Sequence, residues 1–195
     1  MEAIFAYLAE NFDLPILAWI AEHLRTAFGD TVMPIITLLG DGGVFWIILA
    51  AVLLLIPKYR KAGLGMGFAL LMGLLICNII LKPLCARIRP YDYLAEQGII
   101  VDLLISAQHD FSFPSGHTIA SFEAATALFI HDRKLGIPAM ILASLIAFSR
   151  LYLYVHYPTD VIASIILGIG LAFAGYFLAD CVYRLFSKLF KKKIS

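Results

Sequence analysis

The chain has 195 residues, 62% of them apolar, with a mean hydropathy of +0.89 and a formal net charge of +1. Soluble domains are roughly 45–50% apolar, and several stretches here approach the ~20 apolar residues that cross a bilayer. The composition therefore excludes an ordinary soluble domain and indicates an integral membrane protein that works in a lipid bilayer. No nucleic-acid partner is expected.

The N-terminal part is predicted to begin with an amphipathic helix over residues 13–28. Asp13 is a residue type that caps helices, apolar residues recur after it at helical spacing, and Gly29-Asp30 should end the helix. Polar residues occupy the other faces, so we expect this helix to lie on the membrane surface. The alternative is that residues 14–39 cross the membrane as a sixth span.

Five further spans predict an all-α, polytopic transmembrane helical bundle. The first covers residues 31–56 and is interrupted by the glycine-rich residues 40–43. The other four are expected at 62–82, 115–130, 136–155 and 158–180. We interpret residues 1–195 as a single membrane-embedded domain whose motif-bearing core covers about 31–180. The oligomeric state stays open.

The basic residues orient this bundle. The connections 57–61 and 131–135 and the tail 184–193 carry ten of the fifteen lysines and arginines. Short connections rich in Lys and Arg stay in the cytoplasm, so these connections and the C-terminus are predicted to be cytoplasmic in a plasma (inner) membrane. The loop 83–114 and the turn 156–158 should then face outward.

The first polar motif, Lys82–Pro90, lies at an outward end. Lys82 ends a span, and Arg89-Pro90 begins an extended loop because proline disfavours a continuing helix. On their own, such cations could equally be interface anchors. Arg87 is an additional cation inside the motif, and its role is left open between binding a second phosphate and a surface position.

The second motif, Pro114–His117, immediately precedes an apolar helix. Ser115 is well placed as the N-cap, and the free N–H groups that follow would form an anion site reinforced by the helix dipole. Gly116 allows an anion to approach the backbone closely. His117, in the first turn, could donate a proton to a bound group.

The third motif, Ser149–Asp160, contributes Arg150, His156 and Asp160 between two apolar runs. The four-residue spacing of the histidine and the carboxylate would let Asp160 accept a hydrogen bond from one ring nitrogen, which leaves the other free as a nucleophile or base. Taken alone, the pair could simply cap a helix.

The three motifs together favour chemistry at the outward face. Lys82, Arg89 and Arg150 are cationic donors suited to a phosphate, and the sequence has no dense carboxylate cluster for Mg²⁺. This combination predicts phosphoryl transfer through a phosphohistidine, without a metal or other cofactor. Glu123, a carboxyl group inside a span, is left open between a structural and a functional role.

The spacings K-x6-RP (82–90), PSGH (114–117) and SR-x5-H-x3-D (149–160) resemble the three motifs of the type 2 phosphatidic acid phosphatase superfamily, which also includes glucose-6-phosphatase and vanadium haloperoxidases. The resemblance implies that His156 is the nucleophile, that Asp160 orients it and that His117 protonates the leaving oxygen. It also implies a set of phosphate-binding residues, namely Lys82, Arg89, Ser115, Gly116 and Arg150.

The expected function is therefore that of an outward-facing membrane lipid phosphatase. Short bacterial members of the superfamily act on isoprenoid pyrophosphates, phosphatidylglycerophosphate or phosphatidic acid, and undecaprenyl pyrophosphate is the first expectation here. A phosphotransferase that passes the phosphoryl group to another lipid stays open. A non-enzymatic lipid transporter is disfavoured, because binding alone needs no histidine beside an acid.

Overall fold

A computed structural model describes residues 2–191 and their side chains through residue 185. Regular structure within that range is helical, as the all-α prediction requires. The helices are numbered in chain order: α1, Glu2–His23; α2, Ala27–Leu38; α3, Val44–Leu55; α4, Arg60–Gly73; α5, Pro90–Glu96; α6, Gly116–His131; α7, Arg133–Tyr152; α8, Pro158–Lys191. A π-helical stretch, Leu74–Leu81, carries α4 on to the short turn Lys82–Cys85.

Membrane-length helices make up most of the bundle. In the part of the chain that the structure describes, five helical stretches are long and apolar enough to cross a membrane, by length and composition: Glu2–His23, Ala27–Leu55, Pro57–Glu96, Arg133–Tyr152 and Pro158–Leu185. The helix predicted at 115–130 is α6, which has 16 residues and is buried along most of its length. It is the centre of the bundle.

Small residues let α8 pack closely on its neighbours. A Cβ added to Gly175 would lie 2.5 Å from the Gly65 carbonyl oxygen of α4, and one added to Gly168 would lie 3.1 Å from the Ile119 carbonyl oxygen of α6. Close backbone approach of this kind is how membrane helices gain packing energy without a hydrophobic driving force. The site-bearing helices are therefore held in one rigid arrangement.

The predicted boundaries of the N-terminal helix are wrong. α1 begins at Glu2, so Asp13 lies inside the helix and makes no side-chain cap. Gly29-Asp30 does not end it either, because both residues lie in the first turn of α2, whose cap is the Thr26 hydroxyl accepting from the Gly29 N–H at 3.0 Å. The polar side chain of Asp13 has a distant partner, Arg87, which overrides its local capping preference.

α1 packs against one end of the bundle. Its buried residues Ala9 and Leu17 form a cluster with Tyr157, while Ile20 packs with Tyr152 and its neighbours. These contacts extend over more than ten residues of α1, and most of their partners belong to α5, the loop after it and the end of α7, with Met33 of α2 beside them. α1 therefore covers the end of the bundle at which α8 begins.

The basic connections meet at the opposite end. The Tyr59 hydroxyl, after α3, donates to Asp132, between α6 and α7, and His131 lies 3.2 Å from the Lys58 carbonyl oxygen. α4 leaves this basic end and reaches Lys82, whereas α6 begins at Gly116 and returns to it. Lys82 and Gly116 therefore lie at the same end, away from the basic connections.

The predicted break at 40–43 is confirmed. Gly42 and Gly43 have φ values of 56° and 67°, a left-handed conformation that glycine adopts without strain. The break separates α2 from α3 and turns Asp41 toward α6. It also brings Gly40 so close to His117 that a Cβ there would lie 2.7 Å from the imidazole ring.

Candidate active site

The three sequence motifs meet at the end of the bundle opposite the basic connections. Nη1 of Arg89 lies 3.4 Å from Nε2 of His156, which joins the first motif to the third. Nη1 of Arg150 lies 3.4 Å from Nε2 of His117, which joins the third motif to the second. The predicted residues thus form one cluster, although they are spread over 79 positions of the sequence, from 82 to 160.

His156 is buried in the turn between α7 and α8. Its Nδ1 atom lies 3.6 Å from Oδ2 of Asp160, slightly beyond a direct hydrogen bond. The Ser112 hydroxyl lies 3.5 Å from the same Nδ1 and donates to Asp160 at 2.5 Å. The carboxylate and the hydroxyl therefore face Nδ1 together, and Nε2 points toward the cations.

The surroundings of His156 favour the neutral imidazole. Burial, reinforced by the positive charges of Arg89, Arg150 and Lys82, lowers the pKa of His156 well below its ordinary 6.5. With Nδ1 facing a carboxylate, the proton of the neutral ring belongs on Nδ1, which leaves a lone pair on Nε2. That is the form in which a histidine can attack an electrophile.

Two of the three predicted cations are held by a carboxylate. Lys82 and Arg89 both form ion pairs with Asp110, a residue of the loop between α5 and α6. Partial burial of Asp110 opposes ionisation, but the hydrogen bonds and charges of the two cations lower its pKa to about 2. Asp110 therefore carries a negative charge between the groups that a phosphate would use.

The third cation, Arg150, has unused donors. Its side chain is almost fully buried in the last turn of α7, and Nη1 donates to the Thr37 hydroxyl at 2.6 Å. Its Nε and Nη2 atoms have no hydrogen-bond partner among the described residues. Because unpaired buried donors are costly, this guanidinium is suited to receive an anion.

His117 lies on the other side of Arg150. Its Nε2 atom is 2.7 Å from Oδ1 of Asp41, a carboxylate that is more than half exposed. A histidine held by an exposed carboxylate can exchange a proton with a bound group or with water. Asp41 owes this position to the glycine break between α2 and α3.

Ser115 and Gly116 occupy the predicted start of α6, but the cap differs from the expected one. Ser115 stands at the N-cap position, yet its hydroxyl accepts from the Thr118 hydroxyl at 3.0 Å and makes no bond to a backbone N–H of the helix. Its own N–H donates to Ser164 on α8 at 2.8 Å. Ser115 therefore fixes α6 to α8, and the N–H groups of the first turn stay available.

A cavity of about 830 Å³ connects this cluster with the apolar part of the bundle. At one end it is lined by Lys82, His117 and Asp110, and it extends along α3, α4 and α6 as far as Gly63. Lys82 follows Gly63 by 19 positions of helical chain, or roughly 28 Å at about 1.5 Å per residue. Several apolar residues that line the cavity keep a large part of their surface exposed: Ile47, Leu54, Leu71 and Leu74.

Sequence reasoning missed several residues of this cluster. Asp41, Asp110 and Ser112 lie outside the three motifs, in segments whose contacts cannot be read from local patterns. Glu123, whose role was open, lines the inner part of the cavity, and its Oε2 atom has no partner among the described side chains. The only local sign of these residues in the sequence was that Asp110 and Ser112 are polar and lie shortly before Pro114.

Two histidines beside three cations, at one end of a bundle of membrane-length helices, are suited to phosphoryl transfer in a membrane protein. The family follows from the sequence: the model of the PAP2 superfamily matches residues 62–184, and the chain belongs to this superfamily. The relatives and the solved structure that it resembles are phosphatases, and the chain is accordingly a membrane lipid phosphatase.

Similar proteins agree with this assignment. The chain is 33% identical to an undecaprenyl-diphosphatase of Sulfolobus acidocaldarius over 66% of its own length and 60% of that protein's. It is 31% identical to undecaprenyl-diphosphatase BcrC of Bacillus subtilis over 77% and 75% of the two chains. The crystal structure of a transmembrane PAP2-type phosphatidylglycerolphosphate phosphatase from Bacillus subtilis has a TM-score of 0.66 and 26% identity, and covers 99% of this chain and 94% of that one.

The position of Asp110 leads to a prediction about substrate affinity. Asp110→Asn removes a negative charge that competes with phosphate for Lys82 and Arg89, so inorganic phosphate should inhibit about 10-fold more strongly, equivalent to ~1.4 kcal/mol. The measurement is the inhibition constant of phosphate in detergent at pH 7. Asp102→Asn, an exposed change of equal charge on the same loop, is the control. Weaker inhibition in Asp110→Asn would contradict the competition.

Proposed function

We propose that this protein hydrolyses a long-chain isoprenoid pyrophosphate through a phosphohistidine at His156. Undecaprenyl pyrophosphate is the preferred candidate substrate. The observation that carries the proposal is the buried Nε2 atom of His156 beside Arg89, in a cluster whose members Lys82 and His117 line a long cavity through the bundle. The headgroup would enter the cation cluster, defined as Lys82, Arg89 and Arg150. The prenyl chain would follow the cavity along α4.

The chemistry takes two displacements at phosphorus. Nε2 of His156 attacks the terminal phosphorus, the bond from that phosphorus to the bridging oxygen breaks, and His117 gives its proton to the leaving lipid phosphate. His117 then takes a proton from water, the resulting hydroxide attacks the phosphohistidine, and the P–N bond breaks. Inorganic phosphate leaves, and both histidines return to their starting states.

The remaining residues stabilise charge in both transition states. The cation cluster and the N–H groups at Ser115 and Gly116 would surround the equatorial oxygens, where negative charge is spread during phosphoryl transfer. Asp160 would stabilise the positive charge that develops on His156, as the aspartate of a Ser-His-Asp triad stabilises its imidazolium. Because side chains supply the positive charge, the proposal requires no metal ion.

The orientation is part of the proposal. The basic connections around Lys58 and Arg133 lie at one end of the bundle and the cluster lies at the other. Positively charged connections favour the cytoplasm, so the active site would open on the outer face of the plasma membrane, with the C-terminus inside. Residues 192 and 193 of the basic tail lie outside the described residues. An outward site is suited to a lipid carrier whose pyrophosphate form is released outside.

The choice of an isoprenoid pyrophosphate rests on the two undecaprenyl-diphosphatase relatives and on the long, mostly apolar cavity. The second candidate is a phosphatidylglycerophosphate or phosphatidic acid phosphatase, which the similar solved structure favours. A transfer of the phosphoryl group to another lipid shares the first displacement and differs only in the acceptor.

The test is phosphate release by the purified protein from four lipids in detergent with EDTA: undecaprenyl pyrophosphate, undecaprenyl phosphate, phosphatidylglycerophosphate and phosphatidic acid. We expect kcat/KM for undecaprenyl pyrophosphate to exceed the other values by about 10-fold or more, or ~1.4 kcal/mol. A preference for a glycerolipid would support the second candidate. Loss of activity with EDTA and its return with Mg²⁺ would contradict the role of side-chain cations.

Gly67 gives this test a second arm. It lines the cavity on α4, and a Cβ added there would meet nothing within 4 Å, so Gly67→Leu places a side chain at an open position of the cavity. The KM of undecaprenyl pyrophosphate should rise about 10-fold, whereas that of a ten-carbon isoprenoid pyrophosphate should stay unchanged. Gly170→Leu is the control, because Gly170 is equally open but lies outside the cavity. Equal KM values for all three proteins would contradict the proposed path of the chain.

A further inference from the structure

A second polar cluster lies behind His156, on the side away from the cation cluster. Arg87 forms two ion pairs there, from Nη2 to Oδ2 of Asp13 at 2.7 Å and from Nη1 to Oδ1 of Asp160 at 2.5 Å. All three side chains are at most 2% exposed. Buried charges persist only when paired and hydrogen-bonded, so these three groups depend on one another.

Asp13 connects α1 directly to the start of α8. Its Oδ1 accepts from the Thr159 N–H at 2.8 Å, and its Oδ2 accepts from the Thr159 hydroxyl at 2.8 Å. The same hydroxyl also accepts from Nη1 of Arg87 at 2.8 Å. Thr159 precedes Asp160, so the carboxylate of α1 holds the turn of backbone that carries the histidine's partner.

Arg87 controls both groups that face Nδ1 of His156. Its guanidinium occupies Oδ1 of Asp160, and this leaves Oδ2 to the Ser112 hydroxyl, to the Tyr157 N–H and to the imidazole. Its carbonyl oxygen accepts from the Ser112 N–H at 2.7 Å. One residue thereby fixes the carboxylate through its side chain and the hydroxyl through its backbone.

The guanidinium itself has little freedom to move. Its carbon atom lies 3.8 Å from the centre of the Tyr157 ring and 4.8 Å from that of Phe5, which belongs to α1. A planar guanidinium between aromatic rings keeps its fork in one orientation. The two aspartates then lie on the two nitrogens of that fork.

We propose that Asp13 and Arg87 are positioning residues for the Asp160–His156 pair, so that the N-terminal helix α1 is part of the catalytic apparatus. The inference rests on the proposed role of His156 as nucleophile and adds to it. The PAP2 family model begins at residue 62, so Asp13 lies outside the region by which the chain is recognised. Arg87 lies between Lys82 and Arg89 but serves the opposite side of the histidine.

The test compares kcat and KM of Arg87→Lys, Arg87→Met and Asp13→Asn with those of the unmodified protein. Loss of a partner that orients a metal-ligating histidine changes activity by about 10- to 100-fold, and we expect the same range for the orientation of His156. We expect kcat to fall about 10-fold in Asp13→Asn and Arg87→Lys and about 100-fold in Arg87→Met, with KM within about 3-fold. Loss of a merely structural contact would instead lower the amount of folded protein and leave kcat of the remainder unchanged.

Two controls make the outcome decisive. Asp180→Asn breaks the ion pair between Asp180 and Lys61, at 2.5 Å, which joins α8 to α4 at the basic end, and kcat should not change. The double variant Asp13→Asn/Arg87→Met should lose less kcat than the product of the two single losses, because Asp13 and Arg87 contact each other and both hold Thr159 beside Asp160. Asp13→Asn and Arg87→Lys still decide the question if Arg87→Met does not fold.

The proposal is overturned if Asp13→Asn and Arg87→Lys keep full kcat while His156→Ala is inactive. It is also overturned if the kcat losses of Asp13→Asn and Arg87→Met multiply in the double variant. Activity in His156→Ala would instead remove the proposed nucleophile. The failure of the positioning role and the failure of the proposed function are therefore distinguishable.

Discussion

His156→Ala is expected to abolish phosphate release while leaving the helical bundle assembled. The imidazole supplies the atom that would attack phosphorus, and an alanine offers no nucleophile in its place. Removal of a nucleophile from a catalytic set typically costs at least ~10⁴-fold in kcat. The measurement is kcat with undecaprenyl pyrophosphate in detergent, together with the thermal unfolding midpoint of the same sample.

The matched control is His131→Ala, which removes an imidazole at the basic end of the bundle. Its kcat should equal that of the unmodified protein. His156→Ala should still bind inorganic phosphate, because Lys82, Arg89 and Arg150 are unchanged. Substantial phosphate release by His156→Ala would contradict the assignment of the nucleophile.

Arg150→Met is expected to cause the second largest loss of activity, without a loss of thermal stability. Loss of one preorganised donor to a transition state costs about 10²–10³-fold in kcat, and we expect that loss in kcat/KM here. Arg150→Lys should restore little, since a lysine cannot offer a planar fork. The thermal midpoint of Arg150→Met should not fall, because the arginine is buried with two nitrogens that have no partner among the described residues.

A fall in the thermal midpoint of Arg150→Met together with the loss of kcat/KM would contradict this account, because it would make Arg150 a structural residue. Full activity would contradict its place in the cation cluster. Thr37→Val is the companion variant, since it removes the hydrogen bond that Arg150 makes at 2.6 Å and leaves the charge in place. Its kcat/KM should fall less than that of Arg150→Met.

Much of the fold was predictable because the thickness of a bilayer sets the length of the apolar stretches that cross it. Every backbone polar group must be satisfied within the membrane, so the spans from residue 31 onward correspond closely to helices of the structure. The glycine break at 40–43 was predictable for a similar reason, since glycine alone adopts its backbone angles freely. The residues named in the three motifs form one cluster.

The less successful predictions concern residues whose partners are distant in sequence. Asp13 is a residue type that often caps helices. Its carboxylate is instead bound to Arg87 and Thr159, which lie 74 and 146 positions away in the sequence. Arg87 was ambiguous for the same reason. Asp110 and Asp41 could not be assigned to Lys82 and His117, because loop conformation decides which carboxylate reaches which cation.

The contact between Asp160 and His156 was predictable only in part. Their four-residue spacing predicted a contact, and the carboxylate does lie near Nδ1. The Ser112 hydroxyl beside both groups was not predictable, because it comes from a loop 44 residues before the histidine. Helical spacing defines which face a side chain occupies, whereas a group inserted from another segment is visible only in three dimensions.

The most direct test of the account is to identify the phosphorylated residue during turnover. The purified protein would be mixed with undecaprenyl pyrophosphate, quenched in alkali, in which phosphohistidine survives, and its peptides analysed by mass spectrometry. We predict one phosphoryl group on His156, absent from His156→Ala. A phosphoryl group on any other side chain, or full turnover with none on His156, would contradict the account.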